Sequence, residues 1–324
     1  GLSALAGSLV AFSANAVELT VSGTAEVTYS TITSTGTAQV NSGNPMGSNT
    51  SLKFNGSGDV GFGTATIRRT INDGMSAYLS AWQTLDMGSM GTVSFDAIGG
   101  ELAGLTPNDD LLPTAYEEIW NGVSSSGVSG ASSNDTLGYA NSYGPVSFSV
   151  AHTRGGTAGS GDGNVAAETG NSITDMAVSI DGSMLLDGLT IAAATSTEDG
   201  LNNATDTTNN VGHVLYSTGP VSVGYRLAES QPGSGKTVQT GKNIEAYSIA
   251  FAVNDNLSVS FGEQETEYDV ASSASNVTEE VTALNASYTI GAASIRTTLS
   301  ESANDAGVLA NDVEMMEVSL VLAF

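Results

Sequence analysis

VELTVSGTAEVTYS, residues 17–30, alternates too regularly to be a helix. Leu19, Val21, Ala25, Val27 and Tyr29 fall on one side, and Glu18, Thr20, Ser22, Thr24, Glu26 and Thr28 on the other. Successive side chains of a strand point to opposite faces, so a period of two makes one apolar and one hydrophilic face. A soluble β-sandwich accepts such a strand as readily as a membrane barrel does. What separates the two is how often the pattern returns and how polar the second face stays.

The pattern returns along the whole chain. Val146, Phe148 and Val150 alternate with Ser147, Ser149 and Ala151, and Val221, Val223, Tyr225 and Leu227 with Ser222, Gly224, Arg226 and Ala228. Tyr247, Ile249, Phe251 and Val253 oppose Ala246, Ser248, Ala250 and Ala252. Ala293, Ile295, Thr297 and Leu299 oppose Ser294, Arg296, Thr298 and Ser300, and Met316, Val318, Leu320, Leu322 and Phe324 share the last apolar face. About sixteen such segments are expected, centred near residues 24, 55, 67, 80, 95, 140, 149, 177, 192, 214, 224, 249, 260, 285, 296 and 319. Glycine-rich sequence blurs the parity of the second to fourth.

The connections alternate as well. Short turns (YGPVS 143–147, STGPVS 217–222, VNDNLS 253–258, IGAAS 290–294) separate longer polar stretches near 31–49, 99–135, 154–172, 196–210, 229–243, 264–280 and 301–312. Short turns at one rim and long loops at the other are a feature of transmembrane barrels. The expected fold is therefore all-β, a transmembrane antiparallel β-barrel. In lipid an unpaired strand edge is unsatisfied, so the sheet closes on itself, and sixteen strands leave an aqueous channel. The apolar face then meets hydrocarbon and the Ser/Thr/Gly/charged face meets water.

Composition agrees. Only 13% of the 324 residues are charged, against about 25% in soluble domains. Eight basic residues against 34 acidic ones give −26, which leaves no basic face for nucleic acid. Cysteine is absent, so there is neither a disulfide framework nor a thiolate metal site. Residues 1–16, GLSALAGSLVAFSANA, are uncharged and end in the small-x-small triplet Ala14-Asn15-Ala16. They read as the tail of a secretory signal, leaving residues 17–324 as the barrel domain. No later stretch holds 18 consecutive apolar residues, so no helical span is expected.

Three places resemble the alphaproteobacterial general porins. VELTVSGTAEVTYS is similar to their opening strand, and GTVSFDAIGGELAGL (91–105) to the strand entering their inward-folded third loop. VEMMEVSLVLAF ends in Phe324 like the segment recognised by the outer-membrane assembly machinery. Leu322 stands where an aromatic is frequent in that segment, and aromatics total only 6%, which thins the expected interfacial girdles. The resemblance implies a homotrimer of sixteen-stranded barrels in the bacterial outer membrane, in contact with lipid and lipopolysaccharide. It also implies that residues 99–135 fold inward as a constriction loop and that small hydrophilic solutes diffuse past it.

In that family acidic loop residues face basic residues of the wall. The loop carries Glu101, Asp109, Asp110, Glu117 and Glu118 and no Lys or Arg. Parity puts Arg226 and Arg296 on the hydrophilic side, and Arg68 too if Arg69 points outward; a bulge would swap that pair. Opposed rows of charge set up a transverse field that favours dipolar solutes over apolar ones, and the acidic balance leans toward weak cation selectivity. The alternative for each of these residues is a solvated charge or a local ion pair of little consequence.

Glu263, Glu265, Glu267 and Asp269 share the parity of Phe261. They form either a solvated loop or, if the strand continues, an outward ladder that divalent cations could bridge to lipid phosphate. No cofactor is expected; calcium at the acidic loop is the alternative, without a binding-loop pattern to support it. Enzyme signals are poor. His152 and His213 lack metal-ligand spacing, no nucleophile elbow is evident, and Gly235-Lys236-Thr237 lacks the first glycine and following helix of a phosphate loop. The competing readings are a substrate-selective channel, which would carry aromatic tracks or basic clusters, and a secreted β-rich adhesin, which would not need the terminal aromatic strand.

Overall fold

A computed structural model describes residues 18–35, 45–72, 78–131, 135–154, 171–200, 205–233, 241–269 and 276–324. The expected signal remnant and Gly235-Lys236-Thr237 lie outside them. Sixteen strands occupy the described residues: β1 (Glu18–Ser34), β2 (Met46–Asp59), β3 (Thr64–Ile71), β4 (Tyr78–Asp86), β5 (Thr92–Ile98), β6 (Thr136–Tyr143), β7 (Val146–Thr153) and β8 (Ile173–Asp181). They continue as β9 (Leu189–Glu198), β10 (Thr207–Thr218), β11 (Val221–Gln231), β12 (Gly241–Ala252), β13 (Leu257–Asp269), β14 (Val277–Ile290), β15 (Ala293–Ala303) and β16 (Val313–Ala323). Each strand pairs antiparallel with its sequence neighbours, and β1 closes on β16 to complete the barrel. Every centre expected from the sequence falls inside one of these strands.

Closure leaves no edge, so the ladder satisfies the strand backbone all the way round. At the seam Thr24 stands opposite Ala323. Beyond it Gly23 N–H donates to the Phe324 carbonyl at 2.8 Å and Phe324 N–H to Gly23 O at 3.0 Å. The Phe324 ring lies where a side chain on Gly23 would be, for a Cβ there would come within 2.6 Å of it. Phe324 thus fastens β16 to β1 through main chain and ring.

Register settles the blurred parities. Arg68 pairs with Asn55 and Trp82, on the inner face, and Arg69 with Phe54 and Ala81, on the outer. Irregularities occur at Thr70/Ile71, beyond that pair, and at Ala81/Trp82 in the pairing of β4 with β5; the pairing of β2 with β3 is regular, so Arg68 and Arg69 keep the simple alternation. β13 runs to Asp269, so Glu263, Glu265, Glu267 and Asp269 are an outward strand ladder and not a loop. Glu245 and Glu280 flank Glu265 on either side. Below them Tyr225 and Tyr247 donate to Glu245 and Glu263 at 2.7 and 2.5 Å, a polar handle on an otherwise apolar band. Leu227, Ile249, Phe261, Leu284, Ile295 and Leu320 are all exposed on that band.

The inner face departs from the expectation of a uniformly wet wall. From β7 to β14 its middle is small and apolar: Ala151, Ala177, Ala194, Val211, Ala228, Ile244, Ala246, Val281 and Ala283 are all buried. They are covered by the segment 99–131, whose Ala103, Leu105, Leu112, Ile119 and Val128 pack on them in three clusters. The core of this barrel is a loop lying against one half of the wall.

Candidate functional site

The inward loop leaves β5 through a sharp bend. Gly99 has φ +59°, and a Cβ there would come 2.2 Å from the Leu79 carbonyl oxygen, so only glycine fits. Asp96 Oδ2 accepts the Gly100 and Glu101 N–H groups at 2.8 and 2.7 Å and turns the chain into the lumen.

Asp175 on β8 then holds the neck. Its wholly buried carboxylate accepts Leu105 N–H at 2.9 Å and Ala131 N–H at 2.8 Å, one from each limb of the loop. The limbs approach this closely because Gly104 and Gly130 carry no side chain; a Cβ on Gly130 would stand 2.1 Å from Asp175 Oδ2.

Further in, the loop is bonded strand by strand. His213 Nε2 donates to the Asn108 carbonyl at 2.8 Å, and Ser248 Oγ to Pro113 O at 2.8 Å. Ala115 N–H donates to Ser260 Oγ at 2.8 Å, and Lys242 Nζ to Gly127 O at 2.6 Å. Asp109 meets Arg226 at 2.5 Å and also accepts Val128 N–H at 2.9 Å. Arg226 donates to Gln264 at 3.1 Å and lies 5.1 Å from the Trp120 ring. At the far end Tyr116 donates to Glu317 at 2.8 Å and lies 3.3 Å from Glu26, and Ser319 also donates to Glu26.

These contacts divide the residues singled out in the sequence. Arg226 has 0% exposure; it is a clamp beneath the loop and lines no open passage, a correction that follows from the loop covering β11. Asp109 is committed to it. Glu101 is exposed where the loop begins, its backbone in the left-handed region at φ 49°, away from the far end. Arg68 and Arg296 remain accessible on the inner wall. Arg68 donates to Asn55 at 2.7 Å and lies 4.8 Å from the Trp82 ring, and Arg296 lies 5.4 Å from the Tyr116 ring. Asp110, Glu117 and Glu118 complete the set on the loop.

Burial pushes the Asp110 carboxyl up to about 6, against the pull of its bond from Leu112 N–H and of Arg226. Burial likewise pushes Glu117 up to about 7, with Glu118 and Glu317 adding repulsion. Among the described residues no group of three or more His, Cys, Asp or Glu side chains converges to hold a metal ion.

Sequence reasoning missed Lys53, Glu26 and Glu317 as neighbours of this site, and Asp175 and Asp305 as anchors. Parity alone places Glu26 and Glu317 on the inner face, register places Lys53 there, and nothing local marks Asp175 or Asp305. No protein-family model and no curated protein matches the chain. Solved structures do. A porin superposes with a TM-score of 0.67 at 14% identity, covering 95% of this chain and 100% of that one. The outer membrane channel DcaP of Acinetobacter baumannii gives 0.67 at 11%, covering 95% and 97%. OmpT, an outer membrane protein of Vibrio cholerae, in its trimer form gives 0.66 at 9%, covering 96% and 100%.

The fold is the porin fold. At these identities the likeness is one of backbone path, and the site's chemistry is this chain's own. Within this porin-fold barrel the loop covers the inner wall of β7–β14 and leaves Lys53, Arg68 and Arg296 accessible on β2, β3 and β15. β3 stands eight positions from β11 in a ring of sixteen, so Arg68 lies across the lumen from the loop's central anchor.

Proposed function

We propose that this protein is an outer-membrane diffusion porin, giving small hydrophilic solutes and ions a passive aqueous path with a weak preference for cations. The observation that carries this is the path of residues 99–131, which narrow the lumen from one side. Asp110, Glu117 and Glu118 then share the passage with wall carboxylates Glu26 and Glu317, against Lys53, Arg68 and Arg296. Acidic groups outnumber basic ones; Arg68 on β3 lies across the lumen from the acidic loop, and that separation gives a transverse field that favours dipolar solutes, while Glu26 and Glu317 stand on the strands between Lys53 and Arg296.

The working unit is a homotrimer in this reading. Arg69 faces outward between Phe54 and Ala81, its Nη1 donating to the carbonyls of Arg68 and Trp82 at 2.7 and 3.1 Å. Thr50 and Gln83 share its face. A charge facing hydrocarbon costs about 2–4 kcal/mol at the midplane, and covering β2–β4 with a second copy removes that exposure. The trimer form of OmpT, a barrel of the same fold, supports the same assembly. The apolar band and the outward carboxylates above it fit a bilayer and its lipopolysaccharide zone. Phe324, sealing the seam, is the residue that the assembly machinery would read.

The test is single-channel conductance in a planar bilayer, with reversal potential under a salt gradient. Stepwise insertions in threes with a mild cation preference are expected. Correctly folded protein that never conducts would overturn the open-pore reading.

A further inference from the structure

The connection between β15 and β16, residues 304–312, has an outer and an inner side. Outside it presents Val308 and Leu309, 54% and 78% exposed. Inside it presents Asp305, only 5% exposed, whose two oxygens accept both polar hydrogens of Ser124: the N–H at 2.7 Å and the Oγ–H at 2.6 Å. Ser124 belongs to the far end of the inward loop, beside Trp120 and Gly122. A segment at the long-loop rim therefore grips the element that narrows the lumen.

The segment is braced internally, and Thr35, just past β1, and Thr278 on β14 fasten its two ends. Asp305 N–H donates to Asn311 O at 2.7 Å, Gly307 N–H to Asn304 O at 2.9 Å, and Ala310 N–H to the Asn304 side chain at 2.9 Å. These bonds hold Asn304, Ala306 and Ala310 at φ 55°, 59° and 61°, where a Cβ crowds the following carbonyl. Its inner side rests on the Tyr268 ring, which a Cβ on Gly307 would overlap at 2.7 Å. Below it Glu279, wholly buried, is held by Tyr268 at 2.6 Å and Ser302 at 2.9 Å. Leu309 therefore sits on a stiff unit, whose contact with the inward loop is Asp305 with Ser124.

We propose that residues 304–312 act as a lever on the constriction, carrying a load at Val308 and Leu309 through Asp305 to Ser124 and so to the end of the inward loop. The inference rests on the pore reading for its consequence but not for its mechanics. Coupling of this kind needs a physical chain of contacts between the two sites, and here that chain is one carboxylate long.

The sequence contains no cysteine and two tryptophans, Trp82 and Trp120. Leu309→Cys can therefore be labelled with a bulky maleimide in a Trp82→Phe background, where Trp120 alone fluoresces. Labelling is expected to raise acrylamide quenching of Trp120 at least twofold and channel closing events severalfold. In Asp305→Ala the unlabelled protein shows the raised quenching already and the label adds nothing. Ser124→Ala, a milder change outside the β15–β16 connection, shrinks the effect of the label. Quenching that ignores the label, or that responds to it equally with and without the Asp305→Ala change, overturns the lever. A label-dependent quenching change in a protein that never conducts overturns the pore reading and leaves the lever standing; a conducting channel without that change does the reverse.

Discussion

Arg226 and Asp109 meet at 2.5 Å beneath the inward loop, the guanidinium without any exposed surface. Replacing Asp109 with alanine leaves that charge buried and unpaired, a loss of about 3–5 kcal/mol for pairs of this kind. The barrel ladder is untouched, so the loss falls on the loop. We expect Asp109→Ala to migrate as a folded barrel, to show noisier open-channel current, and to be cut at Glu117 or Glu118 by a Glu-specific protease that spares the unaltered protein. A double replacement, Asp109→Leu with Arg226→Met, removes both charges and should restore much of the resistance. Cleavage unchanged in the single variant would show that the ion pair does not hold the loop.

Asp175 makes a second, independent clamp. Asp175→Ala strips the acceptor from two buried N–H groups, each worth about 1–3 kcal/mol when left unsatisfied. Asp175→Asn keeps one acceptor oxygen. The expected order of loop protease sensitivity and conductance change is Ala above Asn above the original residue; equal behaviour of the two variants would argue against the two-limb clamp.

Protons should weaken the proposed cation preference. The Asp110 and Glu117 carboxyls stand at about 6 and about 7 because burial disfavours their charged forms. Lowering pH from 8 to 5 neutralises Glu117 first and Asp110 second, so the reversal potential should move toward zero in that window. Glu117→Gln should remove the step near 7. The sign for stability follows from the same shifts. A carboxyl raised on folding favours the folded loop most below its ordinary value, and that contribution fades as pH climbs through about 6 and about 7. Loop protease resistance, measured with a pH-tolerant protease, should therefore be greater at pH 5 than at pH 8.

Arg69 offers a test of assembly. Arg69→Glu places a carboxylate on the outer face of β3 and should shift unheated protein from trimer to monomer on a gel or in sedimentation. Arg296→Glu, on the inner wall, should leave the oligomer intact while altering selectivity. Trimers that survive Arg69→Glu would place the interface elsewhere on the barrel.

The seam predicts a folding defect. Gly23→Val puts methyl groups where the Phe324 ring lies, a Cβ alone coming within 2.6 Å of it. Folded, heat-modifiable barrel should fall in yield, as it should for Phe324→Ala, and the two changes together should cost less than their sum, the remainder being the approach of the new Cβ to the Ser51 carbonyl at 2.7 Å.

The strands were legible because their signal is local. Alternation depends only on neighbouring side chains pointing to opposite faces, so VELTVSGTAEVTYS declared its faces without help from the rest of the chain. Sixteen such segments between alternating short and long connections implied closure, since lipid tolerates no open edge. The inward sides of Arg226 and Arg296 followed from the same parity. Where glycine interrupted the alternation, in β2 to β4, only pairing with a neighbour could choose the face, and register did so by setting Arg69 opposite Phe54.

Tertiary structure decided what the inner face does. Ala177, Ala194, Ala228, Ala246 and Ala283 look like ordinary small residues along a hydrophilic face; they become a dry floor once Leu105, Leu112, Ile119 and Val128 come down on them. Whether an arginine lines water or lies under a loop depends on contacts such as Asp109 with Arg226, 117 residues apart. Asp305 and Ser124 are 181 apart. The chain's own alternation determined that there is a barrel and, outside β2 to β4, which way the strand side chains point. Only the fold, by bringing distant segments to the same square nanometre of wall, determined which of those inward charges remain in the passage.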